Sequence, residues 1–228
     1  MLRTLVLLGL LLGVAARAEP VDLQLVLAVD TSGSVSAERF ELQKQGYVAA
    51  FRDPRVLRAI RSGANQRIAV AMVQWTGPRL QVLVVDWLVV HDAASAEALA
   101  ARIAGIDRKL FRGGTSISGV IDYAMQLFDR AGPTAGRRVI DVSGDGANNT
   151  GRPVGPARDE AVAAGVTING LAMLNVEPFL EEHYRDLVIG GPGAFLVAIE
   201  SDDQFTPAIL RKLVTEIAEL PTRRPTGS

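Results

Sequence analysis

Val26-Leu27-Ala28-Val29-Asp30-Thr31-Ser32-Gly33-Ser34 is an aliphatic run that ends abruptly in a carboxylate and hydroxyls. Its apolar part is too continuous for a strand with one wet face, so Asp22 to Val29 reads as a central parallel strand covered on both sides. Such a strand delivers Asp30 to its C-terminal edge, and a glycine-containing turn presents Ser32 and Ser34 beside it. Three hard oxygen donors at Asp30, Ser32 and Ser34 suit a small divalent cation.

The chain on either side of this stretch alternates strands and helices. Ser36 is placed to cap a helix from Ala37 to about Phe51, with Phe40, Tyr47, Val48 and Phe51 at helical spacings. Asp53-Pro54 closes it, and a short helical turn follows over Val56 to Arg61. Arg67 to Trp75 and Gln81 to Val90 read as strands whose connection is too short for a parallel crossover, so they pair as an antiparallel hairpin. A helix over Asp92 to Ile106 follows, and the glycine pair Gly113-Gly114 then opens a helix running to about Phe128. Arg138 to Ser143 is a fourth strand, ending in Gly144-Asp145-Gly146-Ala147-Asn148-Asn149. Pro156 to Ala164 is helical, Val166 to Met173 a fifth strand, Glu177 to Leu187 helical, Ala194 to Ile199 a sixth strand, and Phe205 to Leu220 a final helix. This order gives an α/β fold: a doubly wound, mostly parallel six-stranded sheet with one antiparallel edge strand and helices on both faces. Ligands of such sheets sit at the carboxyl ends of the strands, where Asp30 to Ser34, Thr115 and Asp145 all fall.

The three polar clusters resemble a known family. Asp30-Thr31-Ser32-Gly33-Ser34 is similar to the Asp-x-Ser-x-Ser motif of the von Willebrand factor type A domain, Gly114-Thr115 to its separate threonine, and Gly144-Asp145-Gly146 to its later Asp-Gly. The resemblance spans nearly all of the chain after the N-terminal segment and is similar to an uncharacterised bacterial branch, a domain of unknown function. It implies a metal-ion-dependent adhesion site with Asp30, Ser32, Ser34, Thr115 and Asp145 around Mg²⁺ or Mn²⁺, and a partner protein that presents a Glu or Asp to the ion. It also implies that the last helix can move with the metal ligands. The chemistry is compatible on its own terms. Neutral hydroxyls coordinate without quenching the ion's charge, and two carboxylates against a divalent ion leave a Lewis-acidic position for an incoming carboxylate. Gly33 is expected to allow a tight turn between the serines, and Gly113-Gly114 a close approach of the second loop.

Plainer uses of the same residues stand beside this one. Asp and Ser after a strand also serve as turn and N-cap residues, and one loop can do both. Asp141 shares strand parity with Ser143 and Asp145, which places it either beneath the site as an acceptor or in a pair with Arg138 or a helix terminus. Asn148 and Asn149 rim the metal face or simply form the turn. Trp75 ends a strand parallel to the first and is either an aromatic contact for a partner or a packing residue. His91 and His183 read as surface residues.

Composition narrows the function. Arg3, the apolar run Thr4 to Ala16 and the small-x-small pattern Ala16-Arg17-Ala18 read as an export signal over residues 1–18, cleaved after Ala18. No cysteine follows to carry a lipid, and the run is shorter than the roughly 20 apolar residues of a spanning helix, so no membrane anchor is expected. The domain is expected over 19–220, with a disordered tail over 221–228. Loss of Arg3 and Arg17 takes the net charge from -1 to about -3, which gives nucleic acid no foothold. With no cysteine in the chain, thiolate metal sites and cysteine nucleophiles are excluded. The resulting expectation is an exported, periplasmic or secreted metal-dependent binding module. The alternatives are a metal-dependent hydrolase or phosphotransferase using Asp30 as nucleophile, and a metal-free scaffold of the same fold. Neither a Walker loop nor a Gly-x-Ser-x-Gly elbow is present to favour an enzyme.

Overall fold

β1 (Val21–Asp30) is buried at every position because both faces of its sheet are covered. The computed structural model describes residues 19–130 and 133–218, so the expected export signal over 1–18 and the tail over 221–228 lie outside the described residues. Among those described, β1, β2 (Ile68–Trp75), β3 (Gln81–Val90), β4 (Ala135–Gly144), β5 (Val166–Met173) and β6 (Leu196–Ile199) form a sheet in the order β3-β2-β1-β4-β5-β6. All neighbours pair in parallel except β2 and β3. The hairpin is dictated by its short connection, which closes through Thr76 N–H to the Leu80 carbonyl at 3.0 Å.

Alternate residues of β1 serve opposite layers. Leu23, Leu25, Leu27 and Val29 pack with Tyr47 and Phe51 of α1 (Ala37–Arg52), Val56 and Ile60 of α2 (Pro54–Arg61), Leu99 and Ile103 of α3 (Ala93–Ala104), and Ile209 and Leu213 of α7 (Phe205–Ile217). Val26 and Ala28 pack the other way, with Val120 and Ile121 of α4 (Ile117–Asp129), Ala157 and Ala161 of α5 (Val154–Ala163), and Leu180 and Tyr184 around α6 (Leu180–His183). Each fully buried leucine contributes roughly 1.5–3 kcal/mol. Among the described residues no helix is long and apolar enough to cross a membrane.

Several elements differ from the sequence expectation, β4 starting at Ala135 rather than Arg138 and α5 at Val154 rather than Pro156. The segment read as a helix over Glu177 to Leu187 contains only α6, followed by a π-turn over Tyr184–Val188 that swings Tyr184 inward. β6 begins at Leu196 rather than Ala194, because Phe195 spends its N–H on the Asn169 side chain at 3.0 Å.

Candidate metal centre

β1 and β2 end side by side, with Asp30 in register with Trp75. The Thr31 N–H and hydroxyl both donate to the Trp75 carbonyl, at 3.0 and 3.2 Å, which pins the first residue beyond the strand. The Ser32 N–H donates to Asp30 Oδ1 at 2.7 Å and fixes the carboxylate. Ser36 then caps α1 by accepting the Arg39 N–H at 3.1 Å, as its sequence position suggests. Gly33 has no positive φ, and a Cβ there would meet only the Gly113 carbonyl at 3.9 Å, so the turn does not depend on a glycine as the sequence had implied.

The predicted site residues converge from three loops. Ser32 Oγ and Ser34 Oγ lie 3.1 Å apart, and Ser34 Oγ donates to Asp145 Oδ1 at 2.5 Å, beyond the end of β4. Thr115 is buried, its N–H donating to Asn149 Oδ1 at 2.8 Å and its carbonyl accepting the Asn149 N–H at 2.9 Å. Its hydroxyl comes within 3.2 Å of where a Gly146 Cβ would stand, one residue from Asp145. The glycine pair behaves as expected: Gly113 has φ 121°, and a Cβ on Gly114 would fall 2.5 Å from the Thr150 side chain. Gly144 is equally constrained, since its Cβ would stand 2.7 Å from the Tyr184 hydroxyl and 3.0 Å from Asp30 Oδ2.

Burial makes the electrostatics severe. Asp30, Ser32 and Asp145 are all buried, and Asp30 Oδ2 has no hydrogen-bond partner. Burial pushes the Asp30 carboxyl up to about 7; the Ser32 N–H opposes this and the Asp145 charge adds to it. Burial, with the Asp30 and Asp145 charges behind it, likewise holds the Tyr184 phenol well above its usual value. Two buried carboxylates, one oxygen of which is orphaned, plus the hydroxyls of Ser32, Ser34 and Thr115 form a donor set suited to a hard divalent cation. Asp30, Ser32, Ser34, Thr115 and Asp145 are the residues that could hold it. Among the described residues no cluster of three or more Asp, Glu, His or Cys is placed to hold a metal, so a site here depends on its hydroxyls.

Several participants escaped the sequence reading. Arg39 donates from Nη1 to Asp145 Oδ2 at 2.9 Å, and its Nε lies 3.2 Å from Asp202 Oδ1. Its signal was a cation in the first turn of a helix, where the dipole favours acids. Arg108 clamps the site loop from outside, donating to the Thr31 and Ser32 carbonyls at 2.9 and 3.0 Å. Glu177 accepts the Ala147 N–H at 2.9 Å and adds a third carboxylate to the rim.

The alternatives left open for the remaining residues are decided by their surroundings. Trp75 is buried among Val73, Val26 and Val120 and offers no face to a partner. Asp141 neither reaches Arg138 nor supports the site. Its parity faces the α1 and α7 layer, where Oδ1 lies 2.5 Å from the Lys212 ammonium, while Arg138 donates to the Ala164 carbonyl. Asn148 and Asn149 are turn residues that tie loops together, Asn148 Oδ1 accepting the Ser118 N–H at 3.0 Å. His91 is exposed, whereas His183 is half-buried and accepts the Asn148 N–H at 3.1 Å, burial lowering its pKa.

Comparison with known proteins places this geometry in context. A family model described as "Protein of unknown function (DUF1194)" matches residues 20–221. No curated protein matches the chain. Among solved structures, a von Willebrand factor type A protein from Catenulispora acidiphila superposes with a TM-score of 0.60 at 18% identity, over 87% of this chain and 43% of that one. Proximal thread matrix protein 1 from the mussel byssus, in a structure with its MIDAS motif occupied by zinc, gives 0.59 at 15% identity over 87% and 46%. The pilus adhesin SpaC from Lactobacillus rhamnosus GG, in its open conformation, gives 0.61 at 14% identity over 88% and 31%. The chain thus spans less than half the length of each of these proteins, and at such identities the likeness establishes the fold alone. The chain belongs to the DUF1194 family and has the von Willebrand factor type A fold.

Proposed function

We propose that this protein is an exported, divalent-metal-dependent protein-binding module, with residues 1–18 as its export signal and 19–220 as the binding domain. Asp30, Ser32, Ser34, Thr115 and Asp145 would hold Mg²⁺ or Mn²⁺. When bound, the ion supplies a Lewis-acidic position that accepts a Glu or Asp carboxylate from a partner protein. The observation that carries the reading is the buried, unpartnered Asp30 Oδ2 beside the Ser32–Ser34–Asp145 chain of contacts. A buried carboxylate without a counter-charge is costly, and a cation at this edge relieves it. The zinc-occupied motif of the mussel protein and the description of SpaC as a pilus adhesin support the same direction.

Asp30 is enclosed, with one oxygen committed to the Ser32 N–H, which favours holding an ion over attacking a substrate. The test is thermal unfolding of the purified chain in EDTA and in increasing Mg²⁺ or Mn²⁺. Saturable stabilisation is expected, about 2.7 kcal/mol at a hundredfold excess over Kd, and is lost in Asp30→Ala and Ser32→Ala. Equal responses in the parent and both variants would reject the metal reading and leave the metal-free scaffold.

A further inference from the structure

The loops around the candidate metal centre carry opposite charges on its two sides. Toward the β3 edge, the segments 76–80 and 105–116 contain Arg79, Arg108, Lys109 and Arg112 against the single acid Asp107. Toward the β6 edge, the segments 174–179 and 200–204 contain Glu177, Glu200, Asp202 and Asp203 and no Lys or Arg. The two basic segments are one surface, joined by the Ser116 N–H donating to the Thr76 carbonyl at 2.8 Å. That surface is tied to the site itself, because Arg108 bonds the carbonyls of Thr31 and Ser32. Arg79 and Arg112 are exposed and form no ion pair among the described residues, so their charge is directed outward.

Apolar side chains stand among these charges. Phe111 is 62% exposed with the Arg108 guanidinium 5.3 Å from its ring centre, and Leu80 is 44% exposed. An exposed aromatic held by a neighbouring cation is a pre-ordered contact of the kind that anchors protein interfaces. A uniformly charged polyanion crossing the whole face would be drawn to one side and repelled by Glu177 and Asp203 on the other. A protein segment of uneven charge meets no such conflict.

We infer that the occupant of this face is an acidic protein segment, which lays further carboxylates over Arg79, Lys109 and Arg112 and an apolar side chain against Phe111 and Leu80. This rests on the reading above, in which one partner carboxylate docks on the metal, and adds the chemistry and direction of the residues flanking it.

The test uses a phage-displayed random peptide library, selected on the purified chain in Mg²⁺ and eluted with EDTA. The expected peptides share one fixed Asp or Glu, further acids concentrated on one side of it, and an apolar residue among them. The triple variant Arg79→Glu/Lys109→Glu/Arg112→Glu alters only exposed side chains. It keeps the Mg²⁺-induced stabilisation of the parent, binds the best peptide at least about 10-fold more weakly at low salt, and selects peptides without the flanking acids. Peptides with the fixed carboxylate and neutral flanks, or triple-variant binding within about twofold of the parent, would overturn the acidic-segment inference and leave metal-dependent recognition standing. Preference for a short oligothymidine over every peptide would overturn it in favour of nucleic acid. Absence of any EDTA-eluted peptide from the parent would remove the recognition reading and this inference together.

Discussion

Two clusters of buried carboxylates lie within the same sheet, and they are completed differently. At the carboxyl edge, Arg39 bonds Asp145 and Asp202 but not Asp30, and Asp30 Oδ2 is left without a partner. In the interior, Asp141 of β4 and Glu216 of α7 share the buried Lys212 ammonium, each at 2.5 Å, and Glu216 also accepts an amide N–H of Asn169 at 2.9 Å. Burial disfavours the charged lysine, but the two carboxylates hold its pKa above the usual value. The interior cluster carries its own cation and joins α7 to the sheet. The edge cluster is reached through the exposed Ser34, and its Asp30 carboxylate has no cation beside it among the described residues. Asp141 Oδ2 and Glu216 Oε2 also accept no hydrogen bond, so the difference lies in the cation: the interior carboxylates hold Lys212 between them, whereas Asp30 forms no ion pair among the described residues.

The largest effect expected from disturbing this contrast is at Lys212. Lys212→Met leaves Asp141 and Glu216 uncompensated in the core and should lower stability by about 3–5 kcal/mol in urea unfolding. Replacing the whole cluster, as Asp141→Leu/Lys212→Met/Glu216→Leu, should come close to neutral, because no buried charge is then stranded. A loss below about 1 kcal/mol in the single variant would mean that the interior cluster does not need its cation.

The next effect is on pH dependence. Burial, reinforced by Asp141 and opposed by Lys212, raises Glu216 to about 7 from an ordinary value of 4.5. Between those values the folded chain holds a proton that the unfolded chain has released, so this contribution is complete below 4.5 and is lost as pH rises through about 7. Stability should therefore fall with pH in that window by up to about 1.4 kcal/mol per unit from this group, and Glu216→Gln should flatten that part of the slope. Parallel stability curves for parent and variant would contradict proton uptake by Glu216 in the folded interior.

The smallest effect distinguishes the edge. Arg39 sits 15% exposed on the wholly buried Asp145, where its positive charge partly takes the place of a metal ion's. Arg39→Gln should cost about 1–2 kcal/mol in EDTA, yet tighten Mg²⁺ binding severalfold by freeing Asp145 Oδ2 and removing a like charge. Weaker Mg²⁺ binding in this variant, measured by calorimetry, would show that Arg39 orients Asp145 for the ion rather than competing with it.

Much of this architecture was legible from residue pattern. Continuous apolar runs marked the central strands, a five-residue connection forced the hairpin, and three polar clusters at strand ends marked the site loops. What the pattern left open shares a cause: it gives a residue's face but not what covers it. Trp75 has the parity of Val73, and only the packing of α4 decides that it is enclosed. The π-turn at Tyr184 has no periodic signature, yet it brings a buried phenol beside Asp30. The interior cluster did leave a trace, since Lys212 and Glu216 fall on the apolar stripe of α7 with Phe205, Ile209 and Leu213. A charged pair at that spacing within a buried stripe calls for a partner on the sheet, which Asp141 supplies.

Cation binding at the edge cluster is the property to measure. Mn²⁺ titrated into the EDTA-stripped chain and followed by electron paramagnetic resonance reads this directly. Saturable binding of one Mn²⁺ per chain is the expected result, displaced by Mg²⁺ and absent from folded Asp30→Ala and Asp145→Ala. Binding that never saturates, or that both variants retain unchanged, would contradict it.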